Sequence, residues 1–464
     1  MLASHPDTIA TVIASGAGHR AVYARPLMVR LLDIVDLRGA PIDEARLRAP
    51  AGDRDAALEE TVRSILDAVR SRGDEAIREL TRRFDGVDID EVEVSRAEVA
   101  AARATIPGAL DDALELAADQ IRSYHQRQVG EELDRGPHLR RGVAIEEFIV
   151  PVDRVGCYVP GGLAVYPSTV LMTVIPARVA GVADVTVCVP PGEDGAVPAA
   201  TLAAADVAGA DRVLRIGGAQ AIAALAFGTE TIAAVDVVVG PGNRYVAEAK
   251  RQVVGVVGID ALAGPSEVVV VAGDDAPPDI VAADLLAQAE HGPGGGAIAV
   301  VWDEAQVDAI EAALAARLEA SDRRDEAAST LAGDGRILIV DDPAAAVAAA
   351  NAIAPEHLQL MGERAEALAD DVRHAGAVFV GADASAVVGD YVAGSNHVLP
   401  TGATARFASA LRVDAFRKHI HHVRLEAGAL AQLAPSLVAL TEAEGLGAHR
   451  DAVLARLDDG ASSR

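Results

Sequence analysis

Cysteine is almost missing from this chain: of 464 residues, only Cys157 and Cys188 carry thiols. Two cysteines exclude a disulfide scaffold and any Cys-only metal site, and point to a reducing, intracellular compartment. Aromatic residues are scarce too, at 3%, so the cores must be built from the aliphatic and alanine side chains that bring the hydrophobic share to 51%. Positive charge is short as well. Against 69 Asp and Glu stand 41 Lys and Arg, a net charge of −28. Nucleic acids and anionic membranes need the opposite balance, so neither is an expected partner. One stretch, 155–177, runs for 23 positions without a charge, long enough to cross a bilayer. Pro160, Gly161, Gly162, Pro167 and Pro176 punctuate it, so it reads as buried strand, loop and helix start. The first 27 residues lack the basic start and long apolar core of a signal peptide. They read as a flexible extension, or as residues ahead of a second start at Met28, in a cytoplasmic protein.

What is present is a change of texture along the chain. Val62, Ile65, Leu66 and Val69 fall at helical spacing, which predicts helices from 53 to about 124. From about Gly142 short β-branched runs alternate with alanine-rich helices. The strand candidates are 185–190, 212–217, 236–240, 266–273, 297–302, 336–341, 357–361 and 377–381. Continuous apolar strands separated by helices mark parallel sheets covered on both faces. The expected fold class is therefore α/β, with two stacked βα units that break near Gly264-Pro265. After about Leu411 a helical segment is expected.

Several residue groups carry possible chemistry. Two glycine-rich strand-to-helix turns, at Gly217-Gly218-Ala219-Gln220 and Gly240-Pro241-Gly242-Asn243, could offer backbone N–H groups to phosphates, or be ordinary tight turns. Neither forms a G-x-G-x-x-G motif. Gln288 and His291 lie three apart at a helix end, placed to reach one divalent cation or simply to sit on the helix dipole. Glu356 and His357 open a strand after Pro355, as a general-base pair or as a capped strand start. Asp390, Ser395, Asn396 and His397 share a polar loop beside the sheet. Glu444 and His449 flank two glycines. The tract His419, His421, His422 reads as a solvated face of a polar helix rather than a metal site, and Cys157 as a small core residue rather than a nucleophile.

Taken together, the segments CYVPGGLAVYPSTVLM, GGAQAIAALAFGTE, VGPGNRYVAEAKRQV, DALAGPSEVVVVA, DLLAQAEHGP, APEHLQL, GDYVAGSNHVLPT and EGLGAHR resemble the histidinol dehydrogenase family, in order, from about Met28 to Arg450. The resemblance implies an NAD- and zinc-dependent oxidation of L-histidinol, through the aldehyde, to L-histidine. It implies zinc ligands at Gln288, His291, Asp390 and His449. It also implies substrate contacts at Ser266, Gln288, His291, His357, Asp390, Glu444 and His449, and NAD contacts at Tyr158, Gln220 and Asn243. By the same resemblance His357 takes the alcohol proton, Glu356 activates the water that hydrates the aldehyde, and a homodimer shares its active sites. The architecture implied is two Rossmann-like parallel-sheet lobes with an N-terminal helical arm and a C-terminal helical segment. Its divisions are an extension at 1–27, an arm at 28–52 and a main lobe at 53–157 plus 268–411, for substrate and metal. An NAD lobe at 158–267 and a C-terminal segment at 412–464, completing the partner's site, follow. Three competing readings are a sister dehydrogenase for another amino alcohol, a silent nucleotide- or metal-binding protein, and a thiol-based aldehyde dehydrogenase using Cys157.

Overall fold

The computed structural model describes residues 30–47, 55–130, 138–161, 165–292 and 294–462. The extension expected at 1–27 lies outside them. Two parallel sheets dominate. The first runs in the spatial order Arg212–Leu214, Asp184–Cys188, Arg154–Tyr158, Val237–Val239, Gly258–Ile259. In chain order this is 3-2-1-4-5, one half of a doubly wound sheet, with its switch point between the first and fourth strands. The second sheet repeats the pattern. Gly335–Ile339, Gly296–Val301, Glu267–Ala272, His357–Met361 and Ala377–Val380 stand in that order, again 3-2-1-4-5 counted from Glu267–Ala272. Every pairing in both sheets is parallel.

The strands are apolar on both sides because helices cover both sides. Along Glu267–Ala272, Val268, Val270 and Ala272 enter one core while Val269 and Val271 enter the other. Period-two alternation, with apolar residues at every position, leaves no solvent face. Among the described residues no helix is long and apolar enough to cross a membrane. The uncharged run at 155–177 resolves into the strand Arg154–Tyr158 and the start of the helix Pro167–Ala180.

Three elements differ from the sequence reading. Residues taken as an N-terminal arm include the strand Asp33–Asp36, which pairs with Gly335–Ile339 and widens the second sheet to six strands. The helices from Ala56–Arg72 onward, grouped by the sequence reading with that second sheet, pack on the first. Val62, Ile65, Leu66 and Val69 share a core with Leu214, Ile222 and Leu225. A helical stripe shows which face is buried, not against which sheet. Lastly, the His419-to-His422 tract lies on a strand, not a helix. Arg417–Leu425 pairs antiparallel with Val143–Pro151 over nine positions, and that long-range pairing outweighs the weak local pattern. The helices Ala429–Ala443 and Gly447–Ser462 follow as the C-terminal helical segment.

Candidate active site

The amino ends of two neighbouring strands in the six-stranded sheet carry most of the singled-out residues. Glu356 ends the segment leading into His357–Met361, and Ser266 precedes Glu267–Ala272, the neighbouring strand. The Ser266 hydroxyl donates to Glu356 Oε2 at 2.6 Å, and the Glu267 N–H donates to the same oxygen at 3.1 Å. Ser266 Oγ also lies 3.3 Å from Gln288 Oε1. His357 stands with Nδ1 3.3 Å from the Glu267 carbonyl and Nε2 3.2 Å from Asp390 Oδ1. Ser266, the Glu267 backbone and Asp390 thus hold Glu356 and His357 by hydrogen bonds, with Gln288 in contact through Ser266.

Electrostatics sharpen this cluster. Burial raises the Glu356 carboxyl above its usual range, against the opposing pull of His357 and of its two hydrogen-bond donors. Burial disfavours the His357 imidazolium, yet the hydrogen bond to Asp390 and the charges of Glu356 and Asp390 outweigh it and push the ring up to about 9. Neighbouring Glu267 is pushed by burial up to about 7. Two carboxylates around one imidazole, with the raised carboxyl of Glu267 beside Glu356, form a proton-handling centre.

His291 follows the helix Pro278–Ala289 on its exposed end. Its Nδ1 lies 3.2 Å from the Gln288 carbonyl, which is the usual anchor for the non-ligating nitrogen of a metal-binding histidine and leaves Nε2 available. Gln288 is buried, and its Nε2 has no partner among the described residues. An imidazole, a carboxylate and an amide make a chemically suitable borderline donor set. Among the described residues, however, no three His, Cys, Asp or Glu stand together as a metal-holding group. Glu444 and His449, expected at this site, are exposed on the C-terminal helical segment.

The glycine turns meet elsewhere, at the carboxyl ends of the five-stranded sheet. Tyr158, Gln220 and Asn243 line one cleft of about 900 Å³, on the switch-point side where doubly wound sheets hold their ligands. Their immediate partners lie in the turns themselves. The Tyr158 hydroxyl accepts from the Gly218 N–H at 3.1 Å. The Asn243 side chain caps the helix Arg244–Val253 by accepting from the N–H groups of Tyr245 and Val246. Gly240 has φ +112°, and a Cβ there would sit 2.0 Å from the Tyr158 carbonyl oxygen, so no other residue fits.

A buried ion pair that sequence reasoning missed holds this second turn. Lys250 and Asp260 are both almost fully enclosed and bonded to each other. Asp260 accepts from the Gly240 N–H at 2.7 Å, and Lys250 donates to the Gly240 carbonyl at 3.0 Å. Nothing in the spacing of these two residues signals the clamp. Asp260→Ala strands a buried ammonium, and is expected to cost about 3–5 kcal/mol in denaturant unfolding. An unchanged midpoint would refute the clamp.

The two regions are tied together by the loop after Asp390. His397 places Nδ1 2.9 Å from the Asp390 carbonyl and Nε2 3.3 Å from Thr169 Oγ1, on the helix Pro167–Ala180. Burial holds this imidazole below its usual range, so it bridges as a neutral ring. Asn396 adds a bond from Nδ2 to the Met172 carbonyl at 2.7 Å on that helix. In the C-terminal ribbon His419 and His421 flank Glu147 at 3.1 and 3.4 Å on an open surface. Cys157 and Cys188 are buried free thiols. Burial pushes Cys157 up to about 12 and Cys188 further in the same direction, so the thiol-nucleophile reading fails.

Comparison with known proteins covers nearly the whole chain. The family profile described as histidinol dehydrogenase matches residues 49–457. A histidinol dehydrogenase of Parasynechococcus marenigrum (strain WH8102) is 48% identical over 394 residues, 85% of this chain and 90% of that one. That of Rhizobium meliloti (strain 1021) is 47% identical over 401 residues, covering 86% and 92%. The crystal structure of histidinol dehydrogenase from Elizabethkingia anophelis superimposes with a TM-score of 0.86 at 34% identity, over 93% of this chain and 99% of that one.

Proposed function

The chain belongs to the histidinol dehydrogenase family and is an NAD-dependent oxidoreductase, and from that membership we propose that it oxidises L-histidinol, through L-histidinaldehyde, to L-histidine with two NAD per turnover. The observation that carries the reading is the cluster from Gln288 to Asp390 at the strand mouth. The six-stranded lobe then works on substrate and metal, and the five-stranded lobe holds NAD in its switch-point cleft.

His357 is the base for the alcohol. Its Nδ1 is anchored on the Glu267 carbonyl, and Nε2, held by Asp390 in the free protein, is the nitrogen the substrate hydroxyl engages. The ring is a base only in its neutral form, so once Asp390 no longer holds a proton on Nε2, the hydroxyl proton passes to Nε2 as hydride leaves the carbinol carbon for NAD. Glu356 is fixed by Ser266 and the Glu267 N–H. Its raised basicity suits it to take a proton from the water that adds to the aldehyde. The second hydride then leaves the hydrate for a second NAD. Ser266 and Glu444 orient the amine and imidazole of the substrate.

Gln288, His291 and Asp390, with His449, would hold Zn²⁺. The ion would supply a fixed positive charge that binds the amino alcohol and acidifies its hydroxyl. Since His449 and Glu444 are exposed in their own chain, we assign them to the site of a second copy, in a homodimer acting in the cytoplasm. Exposed Leu440 and Leu454 on the same helices, Leu446 between them, and Val423 and Leu425 on the strand before them supply the apolar surface such a dimer would bury.

The stoichiometry tests this reading. Two NADH are expected for each histidinol consumed, with histidine as product. One NADH per substrate, or a preference for an unrelated alcohol, would sink it.

A further inference from the structure

The switch-point cleft contains a carboxylate that no motif announced. The helix Asp74–Asp85 ends at the cleft, and Arg83, Phe84 and Asp85 join its lining together with Tyr158, Pro190 and Gly218. Asp85 Oδ2 is enclosed, and it has no hydrogen-bond partner among the described residues. An acceptor left in that state carries a desolvation penalty and calls for a ligand. The same deficit shows in its acidity: burial alone, unopposed by any donor, pushes the carboxyl up to about 6.

The sheet explains why a carboxylate is wanted there. In 3-2-1-4-5 sheets that bind dinucleotides, an acidic side chain beyond the second strand accepts the hydroxyls of the adenosine ribose. Here the second strand, Asp184–Cys188, runs out into Val189-Pro190-Pro191-Gly192, which offers no side-chain hydrogen bonds. Glu193 follows and also lines the cleft, but it is exposed to solvent, whereas Asp85 holds an enclosed oxygen without a partner. Asp85, brought in from the N-terminal helices, stands in the same region and acts electrostatically on the Tyr158 hydroxyl. A carboxylate repels phosphoryl oxygens, so within a dinucleotide its fitting partner is a ribose diol.

We propose that Asp85 is a cofactor-recognition residue. It accepts the adenosine ribose hydroxyls of NAD, and it excludes dinucleotides bearing a 2′-phosphate. The inference rests on the reading of this cleft as the NAD site. The apolar walls formed by Phe84, Val189, Pro190 and Pro191 supply area for the base, while Asp85 supplies discrimination. Arg83, the one cation among the described lining residues, is exposed and packs on the Phe84 ring.

The test uses the full-length protein and calorimetric titration with NAD, NADP and the hypoxanthine analogue of NAD, together with steady-state kinetics. Asp85→Asn is expected to raise the Kd and KM for NAD about tenfold or more, the worth of a hydrogen bond to a charged group. The kcat is expected to stay within about twofold, and the preference for NAD over NADP to fall at least about tenfold. Asp85→Ser should give the same shift in preference. It stands in if the first variant folds poorly. An unchanged NAD-to-NADP ratio in both variants overturns the proposal. So does a loss seen with NAD but not with the hypoxanthine analogue, which would place Asp85 on the adenine amine. Val165→Trp adds bulk at an exposed position of the cleft wall and checks the underlying reading. If it weakens NAD and NADP alike, the cleft is the dinucleotide site, and the Asp85 result judges Asp85 alone. If it affects neither, the cleft reading itself falls, and the proposal with it.

Discussion

His357→Asn is expected to lower kcat with L-histidinol by about 10²–10⁴-fold, the range that a positioned general base contributes. Asparagine keeps a polar side chain between Glu356 and Asp390 but has no nitrogen able to take a proton. The ring it replaces is buried and held at both ends, by the Glu267 carbonyl and by Asp390. The loss should therefore appear mainly in kcat, since little of the substrate's binding depends on a ring that acts on one proton. The step affected separates this residue from its neighbour. Supplied with histidinaldehyde, the His357 variant should recover much of its rate, because the hydration step belongs to Glu356. Glu356→Gln should reverse the pattern, releasing a first NADH from histidinol and stalling at the aldehyde. Full activity in the His357 variant, or identical defects in both half-reactions for both variants, would remove the division of roles. A metal-binding or nucleotide-binding protein without catalysis would show no activity in the parent.

The fold was legible where the chemistry is local. The eight strand candidates were readable because a parallel strand covered on both faces is apolar along most of its length, as Val268 to Val271 are, although the edge strand Ala377–Val380 leaves Val378 and Val380 exposed. The helix Ala56–Arg72 was readable from its stripe, but its partner was not. Nothing local to Val62 or Ile65 says that they meet Leu214 and Ile222 across the first sheet. The strand Arg417–Leu425 was lost for the same reason: its nine partners lie in Val143–Pro151, and a nine-residue surface strand with several histidines has no distinctive period of its own. The site divides in the same way. Glu356 and His357 are adjacent in sequence and could be singled out as a pair. Gln288, Asp390 and Ser266 join them only through the sheet, so their grouping came from resemblance to a family and not from spacing. Asp85, Glu267 and the Lys250–Asp260 clamp carried no signal at all. Their significance lies in burial and partners, which exist only once the chain is folded.

The reach of the C-terminal segment gives the other large effect. In the proposed homodimer, each pocket takes Gln288, His291 and Asp390 from one chain and His449 from the partner subunit. Within one chain the helix Gly447–Ser462 packs on Ala429–Ala443, with His449 exposed. A twofold arrangement lets both tails cross at once and closes the assembly. His291→Ala and His449→Ala should each be nearly inactive as pure proteins. Unfolded together and refolded as a random mixture, they should recover about a quarter of the parent activity, as follows from twofold symmetry. Half of the dimers are then mixed. In each of these one pocket combines the intact His291 of one chain with the intact His449 of the other, while its twin carries both lesions. A site built within one chain gives a different result, because every pocket in the mixture then keeps one lesion and no activity returns. The readout is independent of affinity, since complementation counts intact sites and not their strength. Bound zinc should follow the same proportion, rising with activity as mixed dimers form. Zinc that stays at parental levels in pure His291→Ala would remove that residue from the ligand set.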